Sequence, residues 1–165
     1  NVFYKAPSNY VGKKPNSEVE TKNLVRFTRT VNPLSTVSYH CKGEVIFWRF
    51  FQKDKRTLWQ HYCLAKSLSQ ATGYRLIATE AGSCGGYKDW CIDRLGIPAF
   101  TVEVGSDKFT HPYPYDQFED IYNKNIDVPR RLLNTVCREK ERASQNGSKD
   151  KDDETGLIPS EKSFR

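Results

Sequence analysis

Two residues with chemically useful side chains lie in or at the end of predicted β-strands. The first is His40, which closes an alternating, β-branched segment and is followed by Cys41-Lys42-Gly43. Histidine titrates near neutral pH, although at a strand end it is more often a hydrogen-bonded structural residue. Its position alone therefore favours the structural role.

The second residue is Glu103, which interrupts the otherwise apolar predicted strand 98–104. Apolar residues on both sides of that strand are typical of a central, buried strand. Burial of an unpaired carboxylate is costly, so this side chain must be ion-paired, hydrogen-bonded or neutral. It could form a buried ion pair with Lys or Arg, or it could be a general base with a tuned pKa. The sequence alone leaves both interpretations open.

Other candidates carry weaker signals. The Gly-rich residues 81–87 could bind an anion through backbone N–H groups, but they lack the spacing of a P-loop or a Rossmann turn. Cys84 in this segment could be a nucleophile, yet no base is identifiable by spacing. We expect His61 to be packed on an apolar helix face and His111 to be exposed in a Pro-rich turn.

The elements that would position these residues alternate between helix and strand. Periodicity and capping signals predict helices at residues 17–31, 57–71, 88–95 and 116–142, and strands at 34–40, 74–78 and 98–104. Residues 44–51 are strongly apolar and could be a further strand or a buried extended segment. A capping box of Ser17 and Glu20 would begin the first helix, and Asn32-Pro33 would end it. Gly73 and Gly96 would end the next two helices, and Pro129 would kink or split the last. This order predicts an α/β fold with a mixed, mostly parallel sheet flanked by helices, whose sites gather at the carboxyl ends of strands.

Length and composition restrict the class of protein. The 165 residues suit one domain, and 37% hydrophobic with 28% charged residues excludes a coiled coil, collagen or a disordered chain. No apolar run approaches the ~20 residues of a membrane helix. Residues 144–165 are polar and charged, and we predict a disordered tail there.

The charge and the cysteines are less decisive. The net charge of +6 favours an anionic partner, but no basic–aromatic pattern typical of nucleic-acid binding occurs. The five cysteines form no CxxC and fit no zinc finger or ribbon, which favours reduced thiols. The chain has no Met and begins with Asn1, so we expect that its N-terminus is a cut end.

Four segments together resemble the bacterial zinc carboxypeptidases. Residues 39–48 are similar to their HS-x-G-E-x-I-x-W segment, and 85–90 to their GG-x-x-DW loop. Residues 98–105 are similar to the P-x-x-T-x-E-x-G strand, and 10–21 to Y-x-G-x-x-P-x-S-E-P-E-T. Within the family, the resemblance is to γ-D-glutamyl-diamino-acid peptidases, which share the carboxypeptidase A fold and trim peptidoglycan stem peptides.

The resemblance implies roles for individual residues. His40 matches the third zinc ligand, and Glu103 matches the general base that takes a proton from zinc-bound water. Lys88 falls where the family sets its side-chain pocket, and a cation there would suit a substrate carboxylate such as that of diaminopimelate. Asp89 would shape the pocket wall, and Tyr87 is a candidate for the mobile tyrosine of digestive-type relatives. A solvated loop lysine is the alternative for Lys88.

The departures from the family pattern matter equally. The first two zinc ligands of the family lie in an H-x-x-E motif, and none occurs here; its substrate-clamping Asn-Arg pair is also absent, and Cys41 replaces a Ser. We therefore interpret residues 1–143 as the C-terminal part of a zinc peptidase catalytic domain. Zn²⁺ would be the cofactor, with His40 as one ligand and the other two expected upstream of residue 1.

The implied function is hydrolysis of a peptide or γ-glutamyl amide bond, with a peptide or cell-wall peptide as partner and no nucleic acid or membrane span. This chain alone would be inactive. The alternatives are an inactive pseudo-peptidase that binds peptides or cell wall and, with less support, an unrelated basic α/β binding module. Reduced thiols favour the cytoplasm and cell-wall chemistry favours export, so the compartment stays open.

Overall fold

The structure is a computed structural model that describes residues 2–7, 10–52, 54–78 and 85–146. The chain divides into two compact units between Pro33 and Leu34. No helix in the described ranges is long and apolar enough to cross a membrane. The second unit contains the sheet and all the candidate site residues.

The first unit contains helix α1, Val19–Val31, close to the predicted position. Asn32 ends it in a left-handed conformation, as the Asn-Pro pair indicated. The predicted capping box is wrong, because Glu18 precedes the helix without a side-chain cap. The Ser17 hydroxyl donates a hydrogen bond of 2.7 Å to the neighbouring Glu18 carboxylate, and Ser17 lies one residue before the N-cap position.

The second unit is built on a four-stranded sheet with the order β1-β4-β2-β3. The strands β1 and β4 are parallel, β2 and β3 are parallel, and β2 and β4 are antiparallel. The prediction of a mixed, mostly parallel sheet with residues 98–104 at its centre is confirmed. The strands are β1 Thr36–Cys41, β2 Val45–Phe47, β3 Arg75–Ile77 and β4 Ala99–Val104.

The helices of this unit follow the predicted order with different ends. The last predicted helix is divided just before Pro129, which is tolerated in the first turn of a new helix but not in a helix interior. The short helix after the Gly-rich segment passes directly into a π-helical turn, Cys91–Leu95, which Gly96 ends. The α-helices are α2 Lys55–Thr72, α3 Tyr87–Trp90, α4 Phe118–Asn125 and α5 Val128–Asn146.

The strand β4 is buried on both faces, which explains its nearly continuous apolar sequence. On one face, Phe100 and Val102 pack with α2 and α5 in the main core. On the other face, Ala99 packs with Cys91 and Ile92 of the π-helical turn. Because side chains alternate along a strand, Glu103 lies on the same face as Ala99.

Some predictions fall on residues outside the described ranges. Cys84 and most of the Gly-rich segment are among them, as are residues 147–165 of the predicted tail. The helix α5 extends to Asn146 and so includes the first residues assigned to that tail. The domain boundary at residue 143 stays a prediction.

Candidate functional site

The two strand residues singled out in the sequence are neighbours in the sheet. In the parallel pair β1 and β4, His40 stands opposite Glu103. Adjacent strands lie about 4.8 Å apart and opposite residues point to the same face, so the imidazole and the carboxylate share one side of the sheet. Both are at or near the carboxyl ends of their strands, which is the edge where α/β folds place their sites.

The surroundings of Glu103 raise the pKa of its carboxyl group. Partial burial raises its pKa above the ordinary value, and the nearby Asp107 carboxylate raises it further. The neighbouring His40 opposes this shift by lowering the pKa. His40 itself is exposed, so the pair opens toward solvent on the histidine side.

The loops that follow the two strands are tied together. The Lys42 ammonium donates to the backbone carbonyl of Asp107 at 3.0 Å and also to that of Phe109. The Gly43 N–H donates to the Gly105 carbonyl at 2.8 Å. These bonds join the segment after His40 to the segment after Glu103, and they hold the strand ends in register.

The candidate pocket residues lie on α3. Lys88 and Asp89 are buried at 5% and 3% exposure and form an ion pair of 2.5 Å. The Lys88 ammonium also donates to the Arg49 carbonyl at 3.0 Å and lies 5.7 Å from the centre of the Phe50 ring. Lys88 is therefore not a solvated loop lysine.

The Asp89 carboxylate has a second role at the start of α3. It accepts the backbone N–H groups of Gly85 and Gly86 at 2.8 and 3.2 Å. Tyr87 stacks on Trp90, with ring centroids 6.1 Å apart. The helix contacts both β4 and β1, and its continuation packs on Ala99, so these residues lie on the same sheet face as the His40–Glu103 pair.

Sequence reasoning did not identify a further ion cluster next to β2. Lys124 on α4 binds the carboxylates of Glu44 at 2.8 Å and Asp120 at 2.7 Å, and both raise its pKa. Lys124 and Asp120 have the i,i+4 spacing of a helix pair, a signal visible in the sequence. Glu44 lies 80 residues away, and no local pattern could have joined it to Lys124.

The family model for zinc carboxypeptidases matches residues 4–127 of the chain. The chain belongs to the zinc carboxypeptidase family. One relative is gamma-D-glutamyl-L-diamino acid endopeptidase 1 of Lysinibacillus sphaericus. The two sequences are 32% identical over 122 residues, a match that covers 74% of this chain and 29% of the relative. The uncharacterized protein YqgT of Bacillus subtilis is 27% identical over 132 residues, covering 78% of this chain and 34% of that protein.

Solved structures agree with this family membership. Murein-tripeptide amidase MpaA from Escherichia coli O157 matches with a TM-score of 0.50 and 25% identity, over 73% of this chain and 43% of the amidase. Bovine thrombin-activatable fibrinolysis inhibitor matches with a TM-score of 0.67 and 18% identity, over 79% of this chain and 49% of the inhibitor, which shows a shared fold. This chain spans about a third of the length of the two curated relatives, the Lysinibacillus endopeptidase and YqgT.

Zinc is the metal of this family, and binding it requires several ligand side chains that lie close together. A catalytic zinc needs about three protein ligands plus an open position. Within residues 2–7, 10–52, 54–78 and 85–146, no group of three His, Cys, Asp or Glu side chains is arranged to hold a metal ion. The described residues therefore do not fit a zinc ion by themselves.

Proposed function

We propose that this chain is the C-terminal part of the catalytic domain of a peptidase that hydrolyses an amide bond in peptidoglycan stem peptides. The observation that carries the proposal is the pairing of His40 with Glu103 at the carboxyl end of two parallel strands. Family membership supports a hydrolase, and the names of the endopeptidase and the murein-tripeptide amidase support the substrate class.

In this proposal Glu103 is the acid–base residue. Its carboxylate accepts a proton from the water that attacks the amide carbonyl and returns a proton to the leaving amine. Burial raises its pKa, which makes it a better proton acceptor than an exposed glutamate. The neighbouring His40 opposes that rise in pKa.

His40 contributes one ligand toward the family's zinc, and the remaining ligands come from polypeptide outside the described residues. This division follows from the ligand count, since one histidine cannot hold a catalytic zinc. The chain alone is then expected to be inactive, although it carries the general base.

Lys88, Asp89 and Tyr87 form the substrate-binding part of the proposal. The Lys88 ammonium is bound by Asp89 and the Arg49 carbonyl, so a substrate carboxylate must share it with Asp89 or displace that side chain. The buried ion pair also fixes the first turn of α3. The specificity for an acidic substrate side chain therefore depends on whether the Asp89 carboxylate moves away from the Lys88 ammonium when substrate binds.

A binding module without catalysis is the second candidate, favoured by the lack of a three-ligand group among the described residues. Substitution of Glu103 distinguishes the peptidase from the binding module. The substitution is made in the full-length natural protein that contains this sequence. We expect Glu103→Gln to lower kcat by about 10²- to 10⁴-fold on a γ-glutamyl stem peptide, because the base is lost while the side-chain shape is kept.

The matched control is Asp93→Asn, which neutralises a surface carboxylate paired with Arg94. This control should leave kcat unchanged. Full activity of Glu103→Gln would reject Glu103 as the base, and a wild-type protein that binds the peptide without turnover would favour the binding module.

A further inference from the structure

Three exposed aromatic side chains follow one another along α4 and the 3-10 turn that leads into it, Tyr115–Gln117. Tyr115, Phe118 and Tyr122 are 89%, 55% and 50% exposed. Their spacing of three and four residues places them on one helix face. Single exposed apolar residues are ordinary on a protein surface, whereas a contiguous apolar group is typical of an interaction site. These three side chains are named here the aromatic row.

The rings of the aromatic row are aligned with one another. The Tyr115 and Phe118 rings are inclined by 7°, with centroids 6.1 Å apart. The Phe118 and Tyr122 rings are inclined by 22°, with centroids 5.9 Å apart. Offset rings at such separations cover only part of each other, so ring surface stays open to solvent. The row therefore offers flat apolar surfaces at regular intervals, held by side chains with only two rotatable angles each.

The charges around the aromatic row are mostly negative. Residues 115–127 contain four acidic side chains and one lysine, a net charge of −3 in a chain whose net charge is +6. Glu119 is exposed and lies four residues after Tyr115 and three before Tyr122, so it borders the row. Such a surface repels an anionic polymer, whereas carboxylate oxygens accept hydrogen bonds from neutral hydroxyl and amide groups.

The aromatic row lies at the same end of the sheet as the candidate site. Lys124 of α4 binds the Glu44 carboxylate at 2.8 Å. Glu44 directly precedes Val45, which pairs with Glu103 in the antiparallel ladder of β2 and β4. A polymer held on α4 is thereby kept near the end of the strand that carries Glu103.

We propose that the aromatic row binds the glycan strand of peptidoglycan, the polymer that carries the stem peptides. The inference rests on the proposed function, whose substrate class identifies the polymer. Pyranose rings have faces of C–H groups that stack on aromatic rings, and their hydroxyl and N-acetyl groups donate hydrogen bonds to a carboxylate such as that of Glu119. A glycan strand repeats these faces along its length, which suits a row of rings rather than a single one.

Two other occupants fit the aromatic row less well. A second copy that packed symmetrically on the row would bring two acidic surfaces together. An anionic lipid surface favours basic residues beside the aromatic rings, and the charges in residues 115–127 are mainly acidic. Both occupants are outcomes of the test below.

Titration with a neutral oligosaccharide gives the direct test. The probe is a β-1,4-linked hexamer of N-acetylglucosamine, and binding to the 165-residue chain is measured by calorimetry. We expect binding that is the same in about 0.05 and 0.5 M NaCl, because the probe is uncharged. Phe118→Ala should weaken the affinity at least tenfold, because a stacking surface at the centre of the row is lost.

Matched variants separate stacking from general apolar contact. Phe118→Leu keeps an apolar side chain but removes the flat ring, so it should also bind at least tenfold more weakly. Tyr115→Ala should weaken binding as well, and its 89% exposure means that the fold does not depend on this ring. The control is Phe27→Ala, which removes an exposed aromatic side chain of α1 outside the row and should bind as the wild type does.

Several results would overturn the proposal. These are no binding of the hexamer by the wild type, wild-type affinity of Phe118→Leu, and equal losses in Phe118→Ala and Phe27→Ala. A dimer that Phe118→Ala dissolves would assign the row to a second copy, and binding to anionic vesicles that Phe118→Ala abolishes would assign it to a lipid surface. Binding by the 165-residue chain but not by the full-length natural protein would show that other polypeptide covers the row.

The same titration distinguishes this inference from the proposed function, because hexamer binding requires neither a stem peptide nor turnover. A full-length protein that binds the hexamer but does not hydrolyse a stem peptide would reject the proposed function. A full-length protein that hydrolyses the stem peptide without binding the hexamer would reject the glycan site alone.

Discussion

Glu103 and His40 are placed opposite each other by the pairing of β1 with β4. Neither residue is diagnostic alone, because a strand carboxylate can be an ion pair and a strand-end histidine can be structural. Their opposition across a parallel ladder changes that interpretation, since a half-buried carboxyl beside an imidazole can exchange protons. Spacing could not have predicted the pairing, because the two residues are far apart in sequence and belong to different strands.

A second histidine, His61, lies in the core of the fold. His61 is buried on α2, where burial lowers its pKa to about 4, while the nearby Asp54 carboxylate weakly opposes the shift. Its Nδ1 lies 3.2 Å from Nε2 of Gln52. The prediction that His61 is packed is confirmed.

This pKa predicts acid destabilisation of the fold. Between pH 6.5 and about 4 the unfolded chain protonates at His61 and the folded chain does not, so stability falls as the pH falls. The full loss from this group is about 3 kcal/mol. Urea unfolding of wild type and His61→Gln at pH 7, 6, 5 and 4 should give a shallower pH dependence for the variant. The exposed His111→Gln should keep the wild-type slope, and equal slopes for all three proteins would contradict the account.

At the scale of elements, the sequence predicted the helix ends and the central strand, which depend on residues close together in the chain. Gly73 and Gly96 end their helices in the left-handed conformation, and Pro129 marks the division between α4 and α5. The central position of β4 followed from its apolar sequence. The predicted Ser17 capping box is wrong, because the helix begins at Val19 and Glu18 occupies the N-cap position. The π-helical turn and the Lys124–Glu44 bond depend on tertiary packing, which no local pattern encodes.

The turn after β4 begins at Gly105, two residues beyond Glu103. Gly105 has a φ of +75°, and a Cβ there would lie 2.6 Å from the Tyr113 ring. We expect Gly105→Ala to lower the free energy of unfolding by about 2–5 kcal/mol, from backbone strain plus displacement of the ring. Gly96→Ala is the matched control, with a φ of +67° and no atom within 4 Å, and should lose only about 1–2 kcal/mol. Equal losses in urea unfolding would show that Tyr113 does not restrict the turn.

At the scale of the whole molecule, the chain belongs to the zinc carboxypeptidase family, but its described residues do not provide a complete set of zinc ligands. The resemblance of four segments predicted the family, which the family match confirms. The sequence also showed that the H-x-x-E motif is missing, and the described residues contain no substitute group of three ligands. Lys88 illustrates the limit of sequence reasoning, because its burial against Asp89 depends on the packing of α3.

The zinc content of the purified chain tests the central claim most directly. We predict that the 165-residue chain alone binds zinc weakly and loses it on dialysis, because it contributes a single ligand where about three are needed. Joined to the completing part of the catalytic domain, it should retain one zinc ion, and His40→Ala should release that ion. Tight, stoichiometric zinc in elemental analysis of the chain alone would contradict the account.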